Sequence, residues 1–484
     1  MSVAHILYLL KEYIILAIFI VLLFLFFYKI VYKKIMKGQK EIKTKKLITI
    51  LIFISYIVIV FGATFLSRGN AYEGAVNLSL FSSYKEAYII GKISAWRNII
   101  LNIMLFIPMG FLLPLLTPKL KKWYKTIGIG FAITLLIEIV QTITQMGIFE
   151  IDDIFNNTLG TIIGYSIINI IYIIINKEEK KEILVNILPL LLTIVAFTSI
   201  FIKYSTQEFG NLSIEATTKF NMKNIEIENN ISDIDTNRKK ANVYKTKIYT
   251  KEETDKIAKD IFEKSGDATD EIIDTIYYEE TAIYSTHKQN LWINYLGGTY
   301  SYRYTKTFEY ENSSSNTTYS YDEEGNVIAT ISQNDKQYIE DKETVLEKLR
   351  EIGINLDYEY EYRFDKEYGE HIFTVNMHEE GNNITDGNLI CTMEENGNYS
   401  IKNNLIKSDK YKEKEIISEE EAYKKIEEGK FKVAYENEIN KIKINSVELE
   451  YMSDSKAYYQ PVYKFEVNIN DLEKTTYIYI PAIS

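Results

Sequence analysis

The chain has 484 residues, with 66 acidic and 55 basic side chains and a net charge of −11. Residues 1–203 hold 21 Lys and Arg against 11 Asp and Glu, a balance of +10, which leaves −21 for residues 204–484. Two portions so unlike exclude a single soluble acidic protein, although the mean hydropathy of −0.12 would suit one. The single cysteine, Cys391, excludes an intrachain disulfide and a cysteine-based zinc or iron–sulfur site. Only His5, His287, His371 and His378 could supply imidazole, so a histidine-rich metal centre is not expected; no metal and no cofactor are assigned, although the pair Asp152 and Asp153 could offer oxygen ligands to a divalent cation. Nucleic acid is not expected as a partner, because phosphate binding needs clustered Lys and Arg.

Six apolar stretches, at about 6–28, 47–66, 99–116, 126–146, 154–175 and 183–202, are each long enough to cross a bilayer as a helix. The first has no positive run and no small-residue cleavage site, so it reads as a span and not as a removed signal peptide. The connections at 29–46, 119–125 and 177–182 carry eight, four and three lysines. The alternate connections carry Arg68, Lys85, Lys92 and Arg97. An excess of Lys and Arg marks cytoplasmic loops, which predicts an outer N-terminus and everything after residue 202 outside. Trp96 and Trp123 then fall at opposite interfaces.

Polar groups inside a bilayer are costly, and three clusters stand out. Arg97, Asn98 and Asn102 open the third span. Glu138, Gln141 and Gln145 share one face of the fourth, with Glu138 expected near the bilayer middle. Asp152, Asp153, Asn156 and Asn157 open the fifth. Two readings stand side by side. In one, these groups hydrogen-bond helices together and the Asp pair caps the fifth helix. In the other, they line an outward-facing pocket for a headgroup, an ion or an antibiotic, with Arg97 as counter-ion to Glu138 or the Asp pair. Gly160 and Gly164 would let another helix approach closely. No nucleophile–base–orienter set and no phosphate loop is visible, so no catalytic residue is assigned.

From about residue 204 the pattern becomes α+β. We expect extracytoplasmic α+β units over 204–405 and a small C-terminal α+β unit over 406–484. Thr250-Lys251-Glu252-Glu253 and Ser418-Glu419-Glu420-Glu421 have the spacing of capping boxes, and a third helix is expected near 344–352, ending at Gly353. Glu323-Glu324-Gly325-Asn326 and Glu395-Asn396-Gly397-Asn398 read as hairpin turns. The many tyrosines read as strand packing more readily than as sugar-stacking faces. His371 and His378, seven apart, would face opposite sides of a strand as surface residues.

Two segments carry a family resemblance. Arg97-Asn98-Ile99-Ile100-Leu101-Asn102, continuing through Phe106-Ile107-Pro108-Met109-Gly110-Phe111-Leu112-Leu113-Pro114, is similar to one conserved block of the VanZ-like family. Glu138-Ile139-Val140-Gln141, with Asp152-Asp153-Ile154-Phe155-Asn156-Asn157-Thr158-Leu159-Gly160, is similar to another. The resemblance covers about 47–175; within it Pro108, Gly110 and Pro114 read as structural, helix-packing positions, as Gly160 and Gly164 do by their spacing. Two departures stand out: Asn77-Leu78-Ser79-Leu80-Phe81 lacks the family's proline, and Ile148 stands where many members have Arg. The family is named for a protein giving low-level resistance to teicoplanin. The resemblance therefore implies a multi-pass envelope protein of a Gram-positive bacterium with membrane lipids as partners, and it does not establish an enzyme. A lipid-linked cell-wall precursor, a glycopeptide or an envelope protein would be a further partner. Separately, the segment Ala457-Tyr458-Tyr459-Gln460-Pro461-Val462-Tyr463-Lys464-Phe465 and the layout before it resemble extracytoplasmic domains of the PepSY or YycH/YycI kind, which act as inhibitory or interaction modules. The readings left open are a pocket in the membrane, an external interaction or sensor module, and an enzyme on lipid-linked substrates using Glu138 or Asp153.

Overall fold

The computed structural model describes residues 3–66, 76–177, 180–216, 219–265, 272–305, 308–311, 317–321, 327–332, 337–433, 438–470 and 475–483. Arg68 and the turn at 323–326 lie outside them. The chain divides into two compact units, Met1–Asn211 and Leu212–Ser484.

In the first unit, apolar runs too long for any other economical backbone pairing become helices. α1 (Val3–Phe26) continues as a π-helix over Phe27–Ile35, and α2 (Thr44–Phe61) ends in a shorter π-turn over Gly62–Leu66. A two-residue strand β1 (Val76–Asn77) and a short helix α3 (Ser82–Ile90) lead into α4 (Ile93–Leu116). Then come α5 (Trp123–Ile143), β2 (Phe149–Glu150), α6 (Ile151–Asn176) and α7 (Lys180–Thr206). β1 and β2 pair in parallel. Six of these helices are long and apolar enough to cross a membrane. Their outward side chains are apolar: Phe19 is 61% and Leu192 58% exposed, which suits lipid and not water. The chain is a multi-pass membrane protein.

α4 and α6 are the central pair, and their backbones touch. A Cβ at Gly160 would overlap the carbonyl oxygen of Ile103, and one at Gly164 that of Ile107. One at Gly110 would overlap the carbonyl oxygen of Thr161. Side chains here would force the helices apart, which is why glycine recurs one turn apart on α6. Phe106, Met109 and Leu113 on α4 pack with Tyr56 and Val60 of α2 and Ile137 of α5. The Tyr56 hydroxyl donates to the Leu105 carbonyl, 2.9 Å, in the turn before Pro108.

The second unit is α+β. In chain order it contains β3 (Glu226–Asn229), β4 (Lys239–Thr246), α8 (Lys251–Lys264), β5 (Asp274–Tyr277), β6 (Thr281–Ser285), β7 (Gln289–Asn294) and β8 (Tyr300–Tyr304). β9 (Phe308–Glu311), β10 (Thr317–Tyr321) and β11 (Val327–Ser332) form a separate antiparallel sheet. α9 (Lys342–Glu351), β12 (Glu361–Asp365), β13 (Glu370–Glu380), β14 (Asn383–Met393), β15 (Tyr399–Asn403) and β16 (Ile406–Ile416) follow. The last elements are α10 (Glu419–Glu427), β17 (Lys441–Ser453), β18 (Tyr458–Ile469) and β19 (Thr475–Pro481). The main sheet runs β3-β17-β18-β4-β16-β14-β15-β8-β7-β6-β5, with β13 and β12 branching from β14 and β19 from β18.

Two cores line this sheet. α8 and α9 bury Ala258, Phe262, Val345 and Leu349 against Tyr302, Phe373 and Leu389. α10 buries Ala422 and Ile426 against Ile442, Phe465 and Ile478. Both capping boxes form: Thr250 with Glu253, and Ser418 with Glu421. Asp341 caps α9, which begins at Lys342, two residues ahead of the expected start, and Gly353 follows it at φ +84°. The turn at 394–398 closes the β14–β15 hairpin, with Gly397 at φ +95°. His371 departs from its expected surface position. It is fully buried, its Nε2 bonded to the Ile339 carbonyl at 2.7 Å and its Nδ1 to the Tyr362 hydroxyl at 3.0 Å. Strand alternation does not relate it to His378, because the β13–β14 register shifts between Val375 and His378.

Candidate functional site in the membrane bundle

The polar side chains gather at one end of the bundle, where α4 and α6 begin and α2, α5 and α7 end. Two stripes run down the first turns of α6. Asp152 and Asn156, one turn apart, face α3, while Asp153 and Asn157, also one turn apart, meet α4 and α5.

On the α3 side the chain builds a helix cap between distant segments. Phe81 stands in the left-handed region at φ +64°, and α3 has no cap from its own side chains. Asp152 supplies it. Oδ1 accepts from the Phe81 N–H at 2.5 Å and Oδ2 from the Ser83 N–H at 2.8 Å, with the Ser82 hydroxyl 3.4 Å away. A carboxylate at a helix N-terminus satisfies backbone donors and favours the helix dipole. Below it the Tyr84 hydroxyl donates to Asn156 Oδ1, 2.5 Å. Burial, and then the charge of Asp152, pushes the Tyr84 hydroxyl up to about 12, so it stays a donor at neutral pH.

On the other side Asn102 Nδ2 donates to Asp153 Oδ1 at 2.6 Å, and Asn157 Nδ2 to Thr134 Oγ1 of α5 at 2.8 Å. Glu138, one turn beyond Thr134, accepts from the Glu150 N–H at 3.1 Å. Gln141 donates to the Thr64 carbonyl at 2.8 Å, which ties α5 to the end of α2. Glu138, Gln141, Asp152, Asn156 and Asn157 are each at most 4% exposed. Three polar atoms in this region have no hydrogen-bond partner among the described residues: Asn156 Nδ2, Asn157 Oδ1 and Thr158 Oγ1. Such atoms are costly in a low dielectric and few in native proteins.

The sequence-based expectations meet this geometry unevenly. Asn102, Glu138, Gln141, Asp152, Asp153, Asn156 and Asn157 lie at one end of the bundle and bond across helices. Arg97 and Asn98 are exposed and outside those contacts. Arg97 forms no ion pair among the described residues; Asp152 is met by backbone N–H groups, and Asn102 donates to Asp153. Gln145 does not share the Glu138 face: α5 ends at Ile143, and Gln145 sits exposed at φ +56°. Glu138 is accordingly less than two turns from its helix end and bonded to the loop residue Glu150, not at mid-span. Pro108, Gly110, Pro114, Gly160 and Gly164 lie within α4 and α6, and all but Pro108 are buried. Sequence reasoning missed Tyr84, Thr134, Thr64 and the whole of α3. The serine pair Ser82-Ser83 was the available signal for a helix start.

Comparison with known proteins agrees with the resemblance. The model of the VanZ/LLP1 family matches residues 13–173, about a third of the chain, beginning within α1 and ending in α6. The match reaches further towards the N-terminus than the two conserved blocks alone. No curated protein matches the chain. The membrane portion is therefore VanZ-like over residues 13–173, in a multi-pass membrane protein with six helices among the described residues long and apolar enough to cross a membrane.

Proposed function

We propose that this protein works in a bacterial envelope by admitting a polar headgroup into the region between α4, α5 and α6, as part of glycopeptide tolerance or envelope lipid handling. The observation that carries the reading is the acceptor set at that place. Asn157 Oδ1 is buried without a hydrogen-bond partner among the described residues, half-buried Asp153 stands one turn before it on α6, and Glu138 is on the neighbouring α5. Acceptors in a low dielectric select a donor-rich ligand, an amine or a polyol, as found on lipid-linked cell-wall precursors and glycopeptides. The lysine distribution supports placing this end outward, together with the acidic α+β unit.

The test is Glu138→Gln and Asp153→Asn, made separately, with membrane levels and teicoplanin susceptibility measured in cells. Each exchange keeps shape and removes charge, so a loss of tolerance at normal protein level supports the reading. Unchanged tolerance in both sinks it.

A second reading places the function in the α+β unit as an interaction module. On β5, β6 and β7, Ile276, Ile283 and Trp292 stand in one cross-strand row, with Ile276 41% and Trp292 39% exposed. An apolar row at a sheet edge is a docking surface in many proteins. Full activity after removal of residues 204–484 would refute this reading.

A further inference from the structure

At the opposite end of the bundle, α1 does not stop where its apolar run stops. It continues as the π-helix Phe27–Ile35, and the following loop folds back along it. Phe24, Tyr28 and Tyr32, one turn apart, stack their rings at 6.5 and 6.1 Å. The loop is fastened to that stack. The Ile42 N–H donates to the Tyr28 hydroxyl at 2.9 Å, and the Gly38 N–H to the Tyr32 carbonyl at 2.9 Å. Gly38 lies so flat on the Tyr32 ring that a Cβ there would overlap it. Between helix and loop remains an open groove of about 420 Å³, lined by Phe24, Phe27, Tyr28, Tyr32, Lys40 and Ile42.

The groove is apolar except at Lys40, and its surroundings are strongly cationic. Eight lysines lie between residues 29 and 46. Lys33 pairs with Glu41 at 3.3 Å, and the other seven form no ion pair among the described residues. An apolar trough with a cationic lip at the end of a membrane helix matches one ligand chemistry, an acyl chain joined to a phosphate. A protein partner would have to present the same two features together, whereas an anionic lipid at the bilayer interface does so by construction.

We propose that this groove seats one acyl chain of an anionic phospholipid, with its phosphate held by Lys40 and the neighbouring lysines.

The full-length protein in detergent, stripped of lipid, is offered phosphatidylglycerol or phosphatidylcholine with identical chains, and retained lipid is read by native mass spectrometry. Phosphatidylglycerol should be retained at least about ten-fold better, and Lys37→Glu with Lys40→Glu should erase that preference. Lys122→Glu with Lys125→Glu, the same charge change away from the groove, should preserve it. Ile42→Trp, which fills the groove without changing charge, should lower retention of phosphatidylglycerol and so decides the matter if the lysine variant does not fold. Equal retention of the two lipids by the wild type overturns the proposal. So does wild-type retention by either groove variant.

Discussion

Asp152 gives the sharpest test of how the membrane portion is held together. Replacing it with Ala removes the acceptor for two backbone N–H groups, those of Phe81 and Ser83 at 2.5 and 2.8 Å. The Ser82 hydroxyl at 3.4 Å adds little, and that serine keeps its contact with Asn77 Nδ2 at 3.0 Å. Hydrogen bonds to a charged group contribute about 1.5–3 kcal/mol each, and losing a helix cap costs about 1 kcal/mol. The bonds and the cap describe one interaction here, so a local loss of about 3 kcal/mol is the reasonable expectation. Every 1.4 kcal/mol is ten-fold, so amides of α3 should exchange with solvent roughly a hundred-fold faster. Hydrogen exchange read by mass spectrometry on peptides spanning 76–92 measures this, with peptides of α5 as the internal standard. Asp152→Asn keeps one carbonyl acceptor and should show an intermediate effect. Unchanged protection of α3 in Asp152→Ala would refute the claim that this carboxylate caps that helix.

Three further outcomes follow from other contacts. Gly164→Leu should separate α4 from α6 and abolish monodisperse elution, whereas Gly128→Leu, whose Cβ meets nothing within 4 Å, should elute as wild type. Glu421, held by Arg238 and by the Ser418 N–H, has its carboxyl lowered to about 2 from an ordinary 4.5. Its contribution is therefore complete above about 4.5 and disappears as pH falls towards 2. In thermal melts of the α+β unit's signal, Arg238→Ala should lower the midpoint at neutral pH, with the difference from wild type vanishing near pH 2. Burial, opposed by the Ile339 carbonyl, holds the His371 imidazole below its usual 6.5. Because the unfolded chain takes up that proton first, stability should fall as pH drops below 6.5, and His371→Gln should flatten that part of the profile.

The parts of this protein written in hydrophobic contrast were legible without coordinates. A run of Ile and Leu near 20 residues long has few alternatives, so the spans were clear. An Asp pair opening such a run stood out for the same reason. The ends of the helices were less clear, because Gln145 is compatible with α5 continuing, and only its positive φ shows where the turn falls. That one difference moved Glu138 from mid-span to the bundle's end. The partners of the polar cluster were hidden for another reason: Thr134 is ordinary in an apolar helix and Tyr84 in a short mixed segment, and only the packing of α6 against α5 and α3 gives them work. α3 itself is nine residues of mixed character, too short for periodicity to announce. In the α+β unit the capping boxes were readable because they are local, while sheet order is not.

That sheet order sets a schedule for folding. β4 lies between β16 and β18, and β3 pairs in parallel with β17. The first two strands of the unit therefore wait for partners made some 170 to 220 residues later. Until those partners are synthesised, the edges of β4 are open to any strand nearby, and pairings this distant in sequence form slowly. The cell that makes this protein must hold an unfinished sheet, already tethered to a membrane, for as long as the ribosome needs to reach its closing strands.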